Sequence, residues 1–190
     1  MTRARLLRPL VAAALLPLSL LAPAAAGAAT DDASDGGLWY YTATGMEQLH
    51  QRSTGAGITI AVIDTLVNPA APDLVGTDVE VREPAYCATP DGSEQAAATD
   101  DAGARHATQM VAMLVGTGAG AGGEPGVRGV APGAAVKVFA LGPTDALDEV
   151  CTPPDASQAF QDAVASGADI INVSANLDLD PGVMLEALRA

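Results

Sequence analysis

Positive charge is scarce in this chain: nine Lys and Arg stand against 23 Asp and Glu, a formal net charge of -14. Acidity of that size argues against nucleic acid or an anionic membrane surface as partner, since both would repel it. Cysteine is scarcer still, with only Cys87 and Cys151. Neither has a His or Lys beside it in sequence to activate a thiolate, so a catalytic thiol is not expected. Aromatic residues make up 3% of the chain. The single Trp and two of the three Tyr fall together in Leu38-Trp39-Tyr40-Tyr41, which marks that segment as one that packs against the body. No internal repeat is present. Past residue 29 no segment is apolar enough to cross a bilayer.

What is present begins with an export signal. Arg3, Arg5 and Arg8 precede an apolar run from Leu10 to Leu21 and then a small-residue stretch, Ala24 to Ala29. This is the pattern of a secretory signal peptide, residues 1–29, with cleavage expected near Ala28 or Ala29. The run is too short and too proline-broken for a spanning helix. Removing three arginines takes the net charge to -17, because no Asp or Glu precedes Asp31. The expected location is extracellular, where Cys87 and Cys151 would form a single disulfide.

Residues 30–57 read as an N-terminal extension, with a mobile start over Asp31–Gly37 and a short helix from Met46 to Arg52. His50 in that helix reads as a solvated surface histidine. The first strong element is Ile58-Thr-Ile-Ala-Val-Ile-Asp64, rich in β-branched apolar residues, as in a strand buried on both faces. It ends in a carboxylate, at the end of a parallel strand where ligands and chemistry sit. A weak strand follows around Val79–Val81. From Ala107 the apolar residues recur at helical spacing and stop at Gly116, so His106 occupies the first turn of a buried helix.

Gly118 to Gly123 matches the bare dinucleotide-binding fingerprint. It follows a helix instead of a strand, and Pro125 keeps a helix from opening after it, so it reads as a flexible loop. Val136–Leu141 is the next strand. Asp155 and Gln158 form an Asp-x-x-Gln capping box behind Pro153-Pro154, opening a helix that ends at Gly167. Asp169–Ser174 is a further strand, and Pro181 opens a last helix. Strands alternating with helices in this order give an α/β fold, a doubly wound parallel sheet.

An Asp and a His at the ends of buried elements can be the orienting half of a nucleophilic hydrolase. The carboxylate fixes the imidazole tautomer, and the imidazole takes a proton from a serine hydroxyl. The blocks around these residues are specific. Val62-Ile63-Asp64-Thr65, with Ala71-Pro72-Asp73-Leu74, resembles the aspartate block of the subtilisin-like serine peptidases. His106-Ala107-Thr108 with Val111-Ala112 resembles their histidine block. Gly126 to Ala134 resembles the segment leading into the next strand, and Gly167 to Ser174 the passage whose far end lines the substrate cleft. The resemblance implies a subtilisin-like sheet, incomplete at its C-terminal side, with residues 58–190 forming the N-terminal part of the peptidase domain. It also implies Asp64 as the orienting acid and His106 as general base, with Ser174, Ala175 and Asn176 beside a bound polypeptide substrate. The short extension and cysteine pair are similar to the exported actinobacterial branch, including the mycosins.

The departures are equally specific. Leu66 stands where the family usually has glycine, and Ala107 replaces the glycine after the histidine, adding methyl groups near the dyad backbone. The family's oxyanion asparagine and its Gly-Thr-Ser-Met nucleophile block are not among these 190 residues. Ser174 is the nearest serine, and the resemblance makes it cleft wall. The chain therefore reads as an exported serine endopeptidase domain with Asp and His but no nucleophile, its partner a missing C-terminal half. The alternatives are a non-catalytic, peptide-binding relic of the same fold and an unrelated α/β nucleotide-binding protein. Export and the misplaced glycine loop count against the last. No cofactor is implied. Calcium, which the family often binds, would find oxygen ligands at Asp178 and Asp180, although a solvated acidic loop is the plainer reading. A sheet lacking its later strands would expose a parallel edge and part of its core.

Overall fold

A computed structural model describes residues 38–144, 151–175, 181–187 and 189. The signal segment, residues 30–37, Asn176, Asp178 and Asp180 lie outside the described residues. The centre of the fold is β1 (Thr59–Asp64), which pairs in parallel with β5 (Ala135–Ala140) on one side and β6 (Ile170–Val173) on the other. Strand β2 (Val79–Arg82) adds outside β5, giving the order β2-β5-β1-β6, all parallel. The doubly wound parallel sheet expected from the sequence is the one observed.

The period-2 alternation of a strand explains why β1 is apolar throughout. Ile60 and Val62 face one way and join Val136, Val138 and Ala140 under α3 (Arg105–Val115), which contributes Ala107, Val111, Ala112 and Val115. Ala61 and Ile63 face the other way and join Phe139 and Leu141 under α4 (Pro153–Ala165), which contributes Ala159, Phe160 and Ala163. Each face of the sheet therefore has its own helix and its own core. The crossing between α3 and β5 is an antiparallel pair, β3 (Thr117–Ala119) with β4 (Pro125–Arg128).

That hairpin corrects the reading of Gly118–Gly123 as a flexible loop. Gly118, Gly122 and Gly123 hold positive φ, and Gly126 packs where a Cβ would meet the Asp73 carboxylate and lie 2.6 Å from the Ala119 carbonyl. Glycines placed for tight backbone approach leave no alternating side-chain pattern, so the strands were invisible in sequence. The start of α4 is a second correction. Thr152, not Asp155, is the N-cap: its N–H and hydroxyl both donate to the Asp155 carboxylate, at 2.9 and 2.6 Å. Pro153 and Pro154 lie inside the first turn, where no N–H is needed and the fixed φ already suits a helix. Gln158 instead donates to Asp162 Oδ1 (2.9 Å).

The N-terminal segment forms α1 (Trp39–Ala43) and α2 (Met46–His50). It docks through two tyrosines and not through the tryptophan, which is 68% exposed. Tyr40 Oη donates to the Arg128 carbonyl (2.8 Å) and accepts from the Arg128 N–H (3.2 Å). Tyr41 is buried beneath the Arg128 guanidinium, 4.1 Å above its ring centroid. His50 is no solvated histidine. Its Nδ1 pairs with the Tyr41 hydroxyl at 2.9 Å and its Nε2 with the Val130 carbonyl at 3.0 Å. Partners 80 residues apart in sequence could not be read from the local pattern.

Candidate active site

The site is built at the carboxyl ends of β1 and its neighbours. Asp64 is the last residue of β1, and its side chain is fully buried. Its backbone carbonyl accepts the Leu141 N–H (2.8 Å), while Leu66 N–H donates to the Gly142 carbonyl (2.9 Å), so the turn after the acid is tied to the chain leaving β5. Asp64 Oδ1 accepts the Thr65 N–H at 2.6 Å and lies 2.7 Å from His106 Nδ1. Asp64 Oδ2 is buried and has no hydrogen-bond partner among the described residues. Burying a carboxylate with one oxygen unpaired is costly, and a close cationic or donating partner offsets that cost.

His106 reaches this carboxylate because of how α3 begins. A 3-10 turn, Ala102–Ala104, leads directly into the helix, and Asp101 Oδ1 accepts the Gly103 N–H at 2.8 Å to start it. The helix N-cap, Ala104, has no side chain to cap the first turn. Thr65 Oγ1 does so from outside, accepting the Ala107 N–H at 3.1 Å. Thr108 Oγ1 donates back to the Ala104 carbonyl (2.6 Å) and accepts the Asn68 N–H (2.9 Å). Gly116 ends the helix where a Cβ would sit 2.5 Å from the Ala112 and Val127 carbonyls.

An ionised carboxylate only accepts, so the proton between the two residues belongs to Nδ1 and the neutral imidazole leaves Nε2 with a free lone pair. The His106 side chain is 36% exposed while Asp64 is sealed, so the imidazole is open to a reactant and its orienting acid is not. Leu66 and Ala107, the two departures from glycine, do not crowd this pair. Both are buried in the core cluster beneath α3, and the extra methyls add to packing.

Ser174 follows Val173, the register partner of Ile63, so Asp64 and Ser174 close neighbouring strands. Ser174 Oγ accepts from Asn172 Nδ2 (2.9 Å), and Ala175 packs against the cluster beneath α4. Asn176, the third residue of that stretch, is outside the described residues. Cys87 and Cys151 are joined in a disulfide with Cα atoms 4.9 Å apart, tying the segment after β2 to the residue before the cap of α4. Among the described residues no group of three or more His, Cys, Asp or Glu could hold a metal ion. No helix among them is long and apolar enough to cross a membrane. Sequence reasoning missed two threonines beside the site: Thr65, and Thr144, whose hydroxyl oxygen lies 3.3 Å from Thr65 Oγ1. Thr65 had a local signal, its place directly after Asp64; Thr144 had none.

Comparison with known proteins bears on the family and the fold. The family model for the subtilase family matches residues 55–188. Among solved structures, the prenylagaramide maturation protease PagA is 24% identical with a TM-score of 0.52, covering 76% of this chain and 46% of PagA. MycP1 with its N-terminal propeptide removed is 22% identical with a TM-score of 0.47, covering 80% of this chain and 44% of that one. Fervidolysin from Fervidobacterium pennivorans, a keratinolytic enzyme related to subtilisin, is 24% identical with a TM-score of 0.49, covering 75% and 20%. The chain thus spans less than half the length of these structures, and at such identity the likeness to PagA concerns the fold. No curated protein matches the chain. The family model covers well over half of the residues, and its span holds the Asp64 strand and the His106 helix: the chain belongs to the subtilase family.

Proposed function

We propose that this chain supplies the acid and base of an exported subtilisin-like serine endopeptidase, with Asp64 orienting His106 and the serine nucleophile lying outside these 190 residues. The observation that carries the reading is the 2.7 Å contact between a fully buried carboxylate and a partly exposed imidazole. In that role His106 Nε2 takes the proton from a serine hydroxyl as its oxygen attacks the peptide carbonyl carbon. The proton then passes from the imidazolium to the leaving amine as the C–N bond breaks, and Asp64 stabilises the imidazolium in between without itself taking the proton. Ser174, Ala175 and Asn176 would line the cleft beside the peptide, and the disulfide and the signal-like N-terminus suit an oxidising, extracellular setting.

The test is a version of the chain extended in frame by a segment that carries a Gly-Thr-Ser-Met block. It should hydrolyse peptide substrates, and His106→Ala should abolish turnover. Turnover that survives His106→Ala would rule out the dyad. A folded, extended chain that binds peptide without hydrolysing it would favour the non-catalytic alternative. Secretion is tested separately, by the N-terminus of the protein recovered from culture medium: cleavage near Ala28 or Ala29 is expected, and retention of residues 1–29 in the cell would contradict it.

A further inference from the structure

The turn that leads into α3 is held by a residue that is distant in sequence and belongs to neither the Asp64 strand nor the His106 helix. Thr144 lies just beyond β5, in the stretch whose Leu141 and Gly142 already bond to Asp64 and Leu66. Its N–H and its hydroxyl both donate to the Gly103 carbonyl, at 3.0 and 2.8 Å. The same hydroxyl oxygen is 3.3 Å from Thr65 Oγ1, which accepts the Ala107 N–H. Gly103 and Ala107 stand on either side of His106 in sequence. We propose that Thr144 is a positioning residue for His106, its hydroxyl fixing the first turn of α3 against Asp64 through Gly103 and Thr65. The inference rests on the reading of Asp64 and His106 as the acid–base pair.

The proton inventory supports the arrangement. Thr144 gives its single hydroxyl proton to Gly103 over the shorter distance, which leaves its lone pairs facing Thr65. Thr65 can then donate to Thr144 and keep a lone pair for Ala107. Its alternative acceptor, the Leu66 carbonyl, is farther at 3.4 Å. The loops are also brought together sterically: a Cβ on Gly103 would lie 2.9 Å from Pro143 Cβ, so glycine is what lets the Thr144 segment reach this turn. Because α3 has no side-chain cap of its own, this relay is what the Ala107 N–H relies on. A displacement of about 1 Å at a catalytic group can cost about a hundredfold in rate, so an anchor at this turn matters to chemistry as well as to stability.

The test uses the chain as it stands and follows the His106 Nδ1 proton by nuclear magnetic resonance. The chain has two histidines, and His50→Gln removes the other imidazole, so the signal can be assigned. In the unaltered chain a slowly exchanging low-field Nδ1–H is expected from His106. Thr144→Val should speed its exchange with solvent about tenfold, while amide exchange in β1 and β5 stays unchanged. Thr144→Ser, which keeps the hydroxyl, should restore the slow rate. Thr144→Ala, which adds no methyl in exchange for the hydroxyl, should show the same loss as Thr144→Val. Unaltered His106 exchange in the Val and Ala variants would overturn the role of Thr144 and leave the dyad standing. Absence of the resonance from the unaltered chain would overturn the dyad and Thr144's role with it.

Discussion

Asp64 and its nearest partners carry the sharpest expectations at the scale of single residues. In an extended, active form, Asp64→Asn should lower kcat by about 10⁴, because an amide can donate to Nδ1 and turn the imidazole into the wrong tautomer. Steady-state kinetics on a peptide substrate measures this, and a loss confined to KM would contradict the orienting role. Tyr86 offers a test away from the site. Its hydroxyl donates to Asp162 Oδ2 at 2.7 Å, and burial, then the hydrogen bond to this carboxylate, push the phenol well above its ordinary range. Raised in the folded state, it contributes stability that is fully present below the unfolded value of about 10 and is lost as pH climbs through the folded value. Tyr86→Phe should therefore cost about 1 kcal/mol in urea unfolding at neutral pH, the bond being partly solvated. The gap should narrow in strongly alkaline buffer. A gap that widens there would reverse the sign of the linkage. Asp64 and His106 were legible because each stands at the boundary of an element with a strong apolar pattern. Thr144 was not, since its bond to Thr65 joins residues 79 apart.

At the scale of elements, the local patterns worked where side chains alternate or recur and failed where backbone approach decides. Strand β1 was readable from its β-branched apolar run and helix α3 from the helical spacing of its apolar residues. The β3–β4 hairpin was not, because Gly118, Gly120, Gly123 and Gly126 carry no side chain to show a face. Asp73 is what the hairpin closes on: its carboxylate accepts the Val127 N–H at 2.9 Å and its carbonyl the Thr117 N–H at 2.8 Å. Gly126→Ala would drive a methyl into this carboxylate and the Ala119 backbone. A loss of about 2 kcal/mol or more is expected in denaturant unfolding, because backbone cannot move aside as a side-chain tip can. A neutral substitution would show that the hairpin is not packed as described. The start of α4 was misread by three residues, Asp155 against Thr152, because the two prolines belong to the helix and the cap precedes them.

At the scale of the whole molecule, two features decide how the described part holds together. The Cys87–Cys151 disulfide closes a loop of 64 residues that contains α3, the hairpin and β5. Chain entropy alone makes that link worth about 4 kcal/mol, so reduction should lower the denaturant midpoint sharply. An unchanged midpoint would mean that the two segments are held by packing without it. Strand β6 is the weak side: it pairs only with β1 among the described residues, and Ile170 and Val173 are 51% and 38% exposed. The sequence predicted this strand and its parallel pairing, but an apolar run cannot tell a strand covered on both faces from one left bare at an edge. Intact mass after treatment with a fluorophosphonate serine probe distinguishes a chain that holds the acid and base without the nucleophile from one that carries a complete triad. The 190-residue chain should gain no adduct. A stoichiometric adduct that disappears in Ser174→Ala would contradict the first of these, making Ser174 the nucleophile and not the wall of the cleft.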